Sequence, residues 1–408
     1  MSRTIKVLLL SVSVGLVLFT VAGGLRVRAA EDDGAYRQLG VYSEVLSRIR
    51  TEYVEEPNIP AVTNGALHGL LESLDADSSY LTPAEYKDYE KHQAEAKGQF
   101  GATISKRFGY AAVVSIIPGG PADQGGVQNG DIFEAIEGKS SREMSLAEVN
   151  QALDGPVGSK VNVSVVRAGK AEPVKLTITR DVVKVPAATE KILQSNIGYI
   201  KVDALPKGKA LEIAAKIKAA QEQGAKKLIL DLRDASDGDE NEGIAVANLF
   251  LDHGTITYLQ GQKFPRETFT ADAKKDVTNL PLVVLVNRGT GGAAEIVASA
   301  ILENARGDVV GDKTFGMGSI QKVIPIQDGS ALILSIAKYY TPNGKAIQDD
   351  AVTPNITVAD NNDDFVLPDD DDDNDAATEQ AKKPKTIDND QQLQRAIQVL
   401  ENKDKKAA

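Results

Sequence analysis

The chain has 408 residues, too many for one hydrophobic core, so two or three domains are expected. Its apolar share of 42% and charged share of 25% are those of a soluble globular protein, and a net charge of −12 with no visible basic face argues against nucleic-acid binding. Cysteine is absent, which excludes disulfides, thiolate zinc sites and cysteine nucleophiles. The three histidines, His68, His92 and His253, are scattered without metal-ligand spacing, so neither a metal nor a cofactor is expected.

The N-terminus carries an export signature. Arg3 and Lys6 precede an uncharged run from Val7 to Leu25, and Val27 and Ala29 supply the small residues of a cleavage signal. Residues 1–30 are therefore expected to be a signal peptide or a membrane anchor, since the run is long enough to span a bilayer. The mature protein is expected outside the cytoplasm, in the periplasm or an equivalent compartment, free or tethered.

Residues 37–97 read as helices. Leu39, Val41, Val45, Leu46 and Ile49 recur at helical spacing, as do Leu67, Leu70, Leu71 and Leu74, with Pro57 and Pro60 breaking the segment. Thr82-Pro83-Ala84-Glu85 is a capping box with proline at the first helical position. From residue 98 to 181 the texture becomes short β runs punctuated by glycine, with strands over Val113–Ile117 and Val161–Val166 and one helix over Ser145–Leu153. Between 190 and 358 apolar runs such as Leu228–Leu230 and Leu282–Val286 have the look of strands buried on both faces. Helices over Ala210–Gln223, Gly243–Leu251 and Ala293–Asn304 separate them, which predicts a partly parallel sheet. Residues 359–387, with Asp369–Asp373 at their centre, read as an acidic disordered linker. Leu393, Ile397 and Leu400 mark a last amphipathic helix over 388–404, able to dock on its own chain or on a partner.

The middle module carries Gly120-Pro121-Ala122, then Gly126 to Ile132, then Ile136-Glu137-Gly138, and in that order it resembles a PDZ domain. The resemblance implies that an extended peptide adds a strand to a sheet edge and rests its terminal carboxylate on backbone N–H groups. The peptide-binding residues would be Phe100, Gly101, Ala102, Thr103 and Ile104 of the carboxylate loop, near Val149 and Leu153 of the short helix. Family members attached to a protease usually have glycine where Thr103 stands.

Almost everything from 37 to 358 resembles the C-terminal processing, or tail-specific, serine peptidases. The motifs that carry the resemblance are Leu230-Asp231-Leu232-Arg233, Val286-Asn287-Arg288-Gly289-Thr290, Lys313-Thr314-Phe315-Gly316 and Tyr339-Tyr340-Thr341-Pro342-Asn343-Gly344. The fold it implies is multidomain, of α+β and α/β type: a helical N-terminal region, an inserted PDZ β module and a peptidase-like α/β domain. The chemistry it implies is a serine nucleophile with a lysine as general base. Such a lysine works near neutral pH only if its site lowers its pKa by about three units from ~10.4.

In this chain the family's serine position falls on Gly292, in Thr290-Gly291-Gly292-Ala293-Ala294-Glu295, and its lysine position on Met317, in Phe315-Gly316-Met317-Gly318. The family's spacing between the two is kept, which marks substitution rather than misalignment. A glutamine that orients the lysine in many members is present as Gln321. In the oxyanion region, before Gly238, the first of two family glycines is replaced by Asp237, whose carboxylate would oppose the developing charge. Neighbouring replacements are distant: Thr290 lies up to roughly 7 Å along the chain from Gly292, and Lys313 roughly 13 Å from Met317. Ser299 falls almost two turns into the following helix.

These residues favour a pseudopeptidase: an exported binder of the C-terminal tails of envelope proteins, or a scaffold in a homo-oligomer or in an assembly with an active relative. The competing readings are an active endopeptidase with a displaced nucleophile, and a structural oligomer subunit with no peptide ligand.

Overall fold

The computed structural model of the protein describes residues 37–95, 97–107, 109–359 and 389–407. The apolar run Val7–Leu25 and the acidic stretch Asp369–Asp373 lie outside them. Among the described residues no helix is long and apolar enough to cross a membrane.

The chain divides into two compact units, Met1–Leu67 and His68–Ala408. In the first, α1 spans 37–52 and α2 (Ile59–Glu72) begins, with the Asn58 side chain accepting from the N–H of Ala61. The helical spacing is realised in α1, but Leu39, Val41 and Val45 remain exposed.

In the second unit the region read as wholly helical holds one short strand. β1 (Ser79–Leu81) precedes α3 (Pro83–Glu95), and both hydrogen bonds of the Thr82–Glu85 capping box are present. β1 becomes a strand because it adds to the edge of a distant sheet strand, a partner that local periodicity cannot reveal.

The β module is a six-stranded sheet. Its strands are β2 (Ala102–Arg107), β3 (Tyr110–Ile116), β4 (Ile132–Ile136), β5 (Lys139–Ser140), β6 (Lys160–Val166) and β7 (Val174–Thr179), in the order β2-β3-β4-β6-β7 with β5 on β4. A short helix α4 (Pro121–Gln124) follows β3, and α5 (Leu146–Leu153) packs over the sheet, capped by Ser145 with Glu148 completing the capping box. β2 is an edge strand.

The α/β domain rests on a second six-stranded sheet. Five parallel strands, β9 (Ile197–Lys201), β10 (Lys227–Asp231), β13 (Leu282–Val286), β14 (Asp308–Gly311) and β17 (Ile356–Thr357), are joined by antiparallel β8 (Thr189–Leu193) beside β9. Every residue of β10 and β13 is buried. Leu228, Leu230, Leu282, Val284 and Val286 face the core with α6 (Lys209–Glu222), α7 (Glu240–Asn248) and α8 (Ala293–Glu303). Ile229, Val283 and Leu285 alternate to the other face and meet Leu393, Ala396, Ile397 and Leu400 of α10 (Gln391–Ala407). The last helix therefore docks on its own chain. α7 starts three residues earlier than its apolar pattern suggests, because Asp239 accepts from the N–H of Asn241 and caps it there.

A third sheet is built from β1, β11 (Thr255–Gln260), β12 (Glu267–Thr270), β15 (Ser319–Pro325) and β16 (Ala331–Tyr340), all antiparallel. The small helix α9 (Ile347–Asp350) lies after it in the chain and packs near β16.

Candidate functional site

Loops leaving the carboxyl ends of β10 and β13 meet, as expected for a site on a parallel sheet. Thr290 Oγ1 donates to the carbonyl of Leu232 at 2.9 Å and accepts from the N–H of Asn287 at 3.0 Å. Asn287 exchanges hydrogen bonds with Asp234: its Oδ1 accepts from the Asp234 N–H, and its Nδ2 donates to Asp234 Oδ1. A Cβ on Gly289 would stand 2.6 Å from that carboxylate oxygen, so only glycine lets the two loops approach this closely.

The next two residues bring three segments to one point. A Cβ on Gly291 would meet Ser236 Cβ at 2.9 Å and Met317 Sδ at 3.2 Å. Gly292 follows with φ +55° and ψ −121°, the last residue before α8. A Cβ there would find its nearest neighbour, the carbonyl oxygen of Ser236, at 3.7 Å, so the position has room for a side chain and strain only in its backbone. Gly292 and Met317, both half-buried, thus lie close to Gly291, and the segment Ser236-Asp237 runs beside them.

Asp237 is exposed at its surface, yet the protein packed around it raises its pKa by desolvation. Gly238 pairs with Leu205, where any Cβ would stand 2.8 Å from a carbonyl oxygen. Gln321 is exposed, and its amide donates to Ser319 Oγ at 2.7 Å and Ser335 Oγ at 3.5 Å. It lines a separate cleft of about 270 Å³ together with Asp77, His92, Asn150 and Asp154.

The neighbouring hydroxyl and amine are held apart. Thr290 is fully buried with its hydroxyl engaged, Ser299 donates to the carbonyl of Ile296 inside α8, and Lys313 is exposed.

Two residues at the site were not singled out by the sequence. Ser236 touches the Gly291 position, and its hydroxyl is hydrogen-bonded to that of Ser115 on β3 of the β module. Glu295 is fully buried, and its carboxylate gathers donors from both sides of the site. The signal for Glu295 was present as a residue three after Gly292, the spacing of a capping box. Nothing local marks Ser236.

In the β module, Phe100 is buried against Phe133, and its N–H donates to Asp154 Oδ1 at 2.8 Å. Gly101 has φ +84°, and Ala102 and Thr103 are half-buried on edge strand β2. Ile104, Val149 and Leu153 are packed in the core of the module.

Residues 196–358 match the sequence pattern of peptidase family S41, and residues 113–167 that of the PDZ domain. The carboxy-terminal-processing protease of Bartonella bacilliformis is 33% identical over 333 residues, covering 80% of this chain and 76% of that protein. The chain belongs to the C-terminal processing proteases of peptidase family S41. The carboxy-terminal processing protease CtpA of Bacillus subtilis is 31% identical over 316 residues, covering 77% of this chain and 67% of that protein. Among solved structures, a photosystem II D1 C-terminal processing protease shares the fold with a TM-score of 0.64 at 27% identity, covering 77% of this chain and 86% of that one. Helical N-terminal region, PDZ domain and S41 α/β domain are thus a family architecture.

Proposed function

We propose that this S41 member no longer hydrolyses peptide bonds and acts as an exported binder of protein C-terminal tails, or as the scaffold of an assembly with an active relative. The observation that carries the proposal is chemical. The two positions that the family motifs align with the serine and the lysine hold Gly292 and Met317, which offer neither a hydroxyl nor an amine. There is space for a side chain at Gly292. Thr290, the hydroxyl nearest in sequence, is committed to Leu232, and Lys313 faces solvent, so neither supports the reading of a displaced dyad. A lysine held neutral in place of Met317 costs about 4 kcal/mol for a three-unit shift, whereas methionine fills the slot uncharged.

Members of a catalytic unit are grossly non-additive. Gly292→Ser alone and Met317→Lys alone are therefore expected to leave an unfolded protein substrate intact. The double variant is expected to cleave it slowly, and adding Asp237→Gly to raise the rate by removing a carboxylate from the oxyanion region. Degradation is measured at equal enzyme concentration. Hydrolysis by the unmodified protein, abolished by changing Thr290 or Lys313, would overturn the proposal in favour of an active peptidase.

A further inference from the structure

Glu295 is fully buried on the first turn of α8, and among the described residues no cation is a cause of its raised pKa. Its Oε2 accepts from the N–H of Gly292 at 3.0 Å and from the N–H of Met317 at 2.8 Å. Its Oε1 accepts from the N–H of Gly316 at 2.9 Å and from the hydroxyl of Thr314. Thr314 Oγ1 in turn accepts from the N–H of Val352 at 2.7 Å, so the stretch after α9 is tied into the same knot. One carboxylate thus joins the turn that starts α8 to the loop that carries Met317, and two of its donors are the amides of the two dyad positions themselves.

We propose that Glu295 is the positioning residue of the site: a proton-responsive clasp that sets the register between Gly292 and the Met317 loop. A carboxylate is acceptor-only, and here each oxygen takes two donors. A proton on Oε1 can reverse the bond to Thr314, whose hydroxyl then accepts, but a proton on Oε2 must point at the amide of Gly292 or of Met317, so that contact is given up and the loop is released on that side. Desolvation by burial opposes the charge, while Thr314 and the amides of Met317, Gly316 and Gly292 favour it; the balance pushes the pKa up to about 7. The charged groups of the packed elements, Glu240 and Glu242 on α7, Arg288 in the preceding turn, Asp312 and Lys313 before the loop and Asp350 on α9, are not among the causes of that shift. The clasp rests on the placement of the dyad positions at Gly292 and Met317, but not on whether hydrolysis has been lost.

The chain has three methionines, Met1, Met144 and Met317, so methyl-labelled methionine gives a sparse NMR spectrum of the full protein in which Met317→Leu identifies the reporting signal. The Met317 methyl is expected to shift with pH about a single midpoint near neutrality. The shift is expected to vanish in Glu295→Gln and to return, displaced, in Glu295→Asp. A Met317 signal that does not move in the unmodified protein between pH 5.5 and 8.5, or that titrates unchanged in Glu295→Gln, overturns the clasp. If the clasp titrates but the restored dyad does not cleave, the fault lies with the reading of the dyad and not with Glu295.

Discussion

Gly292, the position proposed for the nucleophile, opens α8 with a backbone that favours glycine. Gly292 has φ +55°, a region where an L residue is strained by about 1–3 kcal/mol, yet a Cβ there clears its surroundings at 3.7 Å. Gly292→Ser is therefore expected to fold with an unfolding free energy lower by that amount, read from urea melts; a loss well above 3 kcal/mol would mean that the position cannot take a side chain. The Glu295 clasp adds a pH dependence of known sign. Burial pushes its pKa up to about 7 from an ordinary 4.5, so between those limits the native state holds more protons than the unfolded chain. The penalty of the buried charge is present in full above pH 7 and is relieved as pH falls towards 4.5. Replacing Glu295 with Gln should flatten that part of the stability profile. At this scale the sequence speaks where identity alone carries chemistry: Gly292 and Met317 offer neither a hydroxyl nor an amine, and Asp237 brings a carboxylate. For Glu295 it offers only the capping-box spacing from Gly292 and not the link to the Met317 loop, because three of the four groups that define its role are backbone amides whose positions depend on the folded loops.

Among the elements, the strands were legible because β10 and β13 are buried on both faces, so that β13 is wholly apolar and β10 is apolar between Lys227 and Asp231. The last helix was legible as a pattern but not as a contact, since its stripe of Leu393, Ile397 and Leu400 fits any apolar surface. What selects its own sheet is polar. Arg233, at the end of β10, donates from both Nη atoms to the two oxygens of Asp390, at 2.9 and 2.8 Å, and also holds Asp231 at 2.6 Å. Tyr199 donates to the same Asp231 at 2.7 Å. Burial works against the charge of Asp231, but Arg233 and Lys201 overcome it and keep the carboxyl well below its usual range. Its contribution to stability is thus present above the unfolded carboxylate pKa and is lost only as pH falls through the depressed folded value. Breaking a buried pair by removing one partner costs roughly 3–5 kcal/mol. Asp231 still partners Arg233 when Asp390 is gone, so Asp390→Ala is expected to lose roughly 2 kcal/mol. Arg233→Ala should lose more, because it strands two buried carboxylates. Urea unfolding of the two variants checks the order, and equal losses would show that Asp390 does not anchor the helix.

On the scale of the whole molecule, the PDZ domain is fastened to the same loop that borders Gly291. Asn129 Nδ2 donates to Asp234 Oδ1 at 3.0 Å, and the hydroxyls of Ser115 and Ser236 are hydrogen-bonded. The order of domains was legible from glycine turns and apolar periods. This seam was not, since two serines and an asparagine carry no signal until the chain has brought them together. The proposed peptide groove is equally a property of the folded state. An apolar residue on α5 can face a ligand or the core, and Val149 and Leu153 are 0% and 1% exposed, so a tail entering beside β2 has to work mainly through the main chain and the carboxylate loop. That loop already meets one carboxylate, because the N–H of Phe100 donates to Asp154, whose pKa is raised by burial. A free C-terminal carboxylate would compete with Asp154 for the loop's donors. Peptides with an apolar, free C-terminus are therefore expected to bind weakly, in the micromolar range of about −8 kcal/mol, and amidation of the terminus to abolish binding. Asp154→Ala removes the competitor and should tighten the free-acid peptide several-fold without rescuing the amidated one. Fluorescence anisotropy with the matched pair on both proteins decides the matter. Equal binding of acid and amide would refute the carboxylate loop, whereas acid-selective binding left unchanged by Asp154→Ala would keep the loop and remove Asp154 from it.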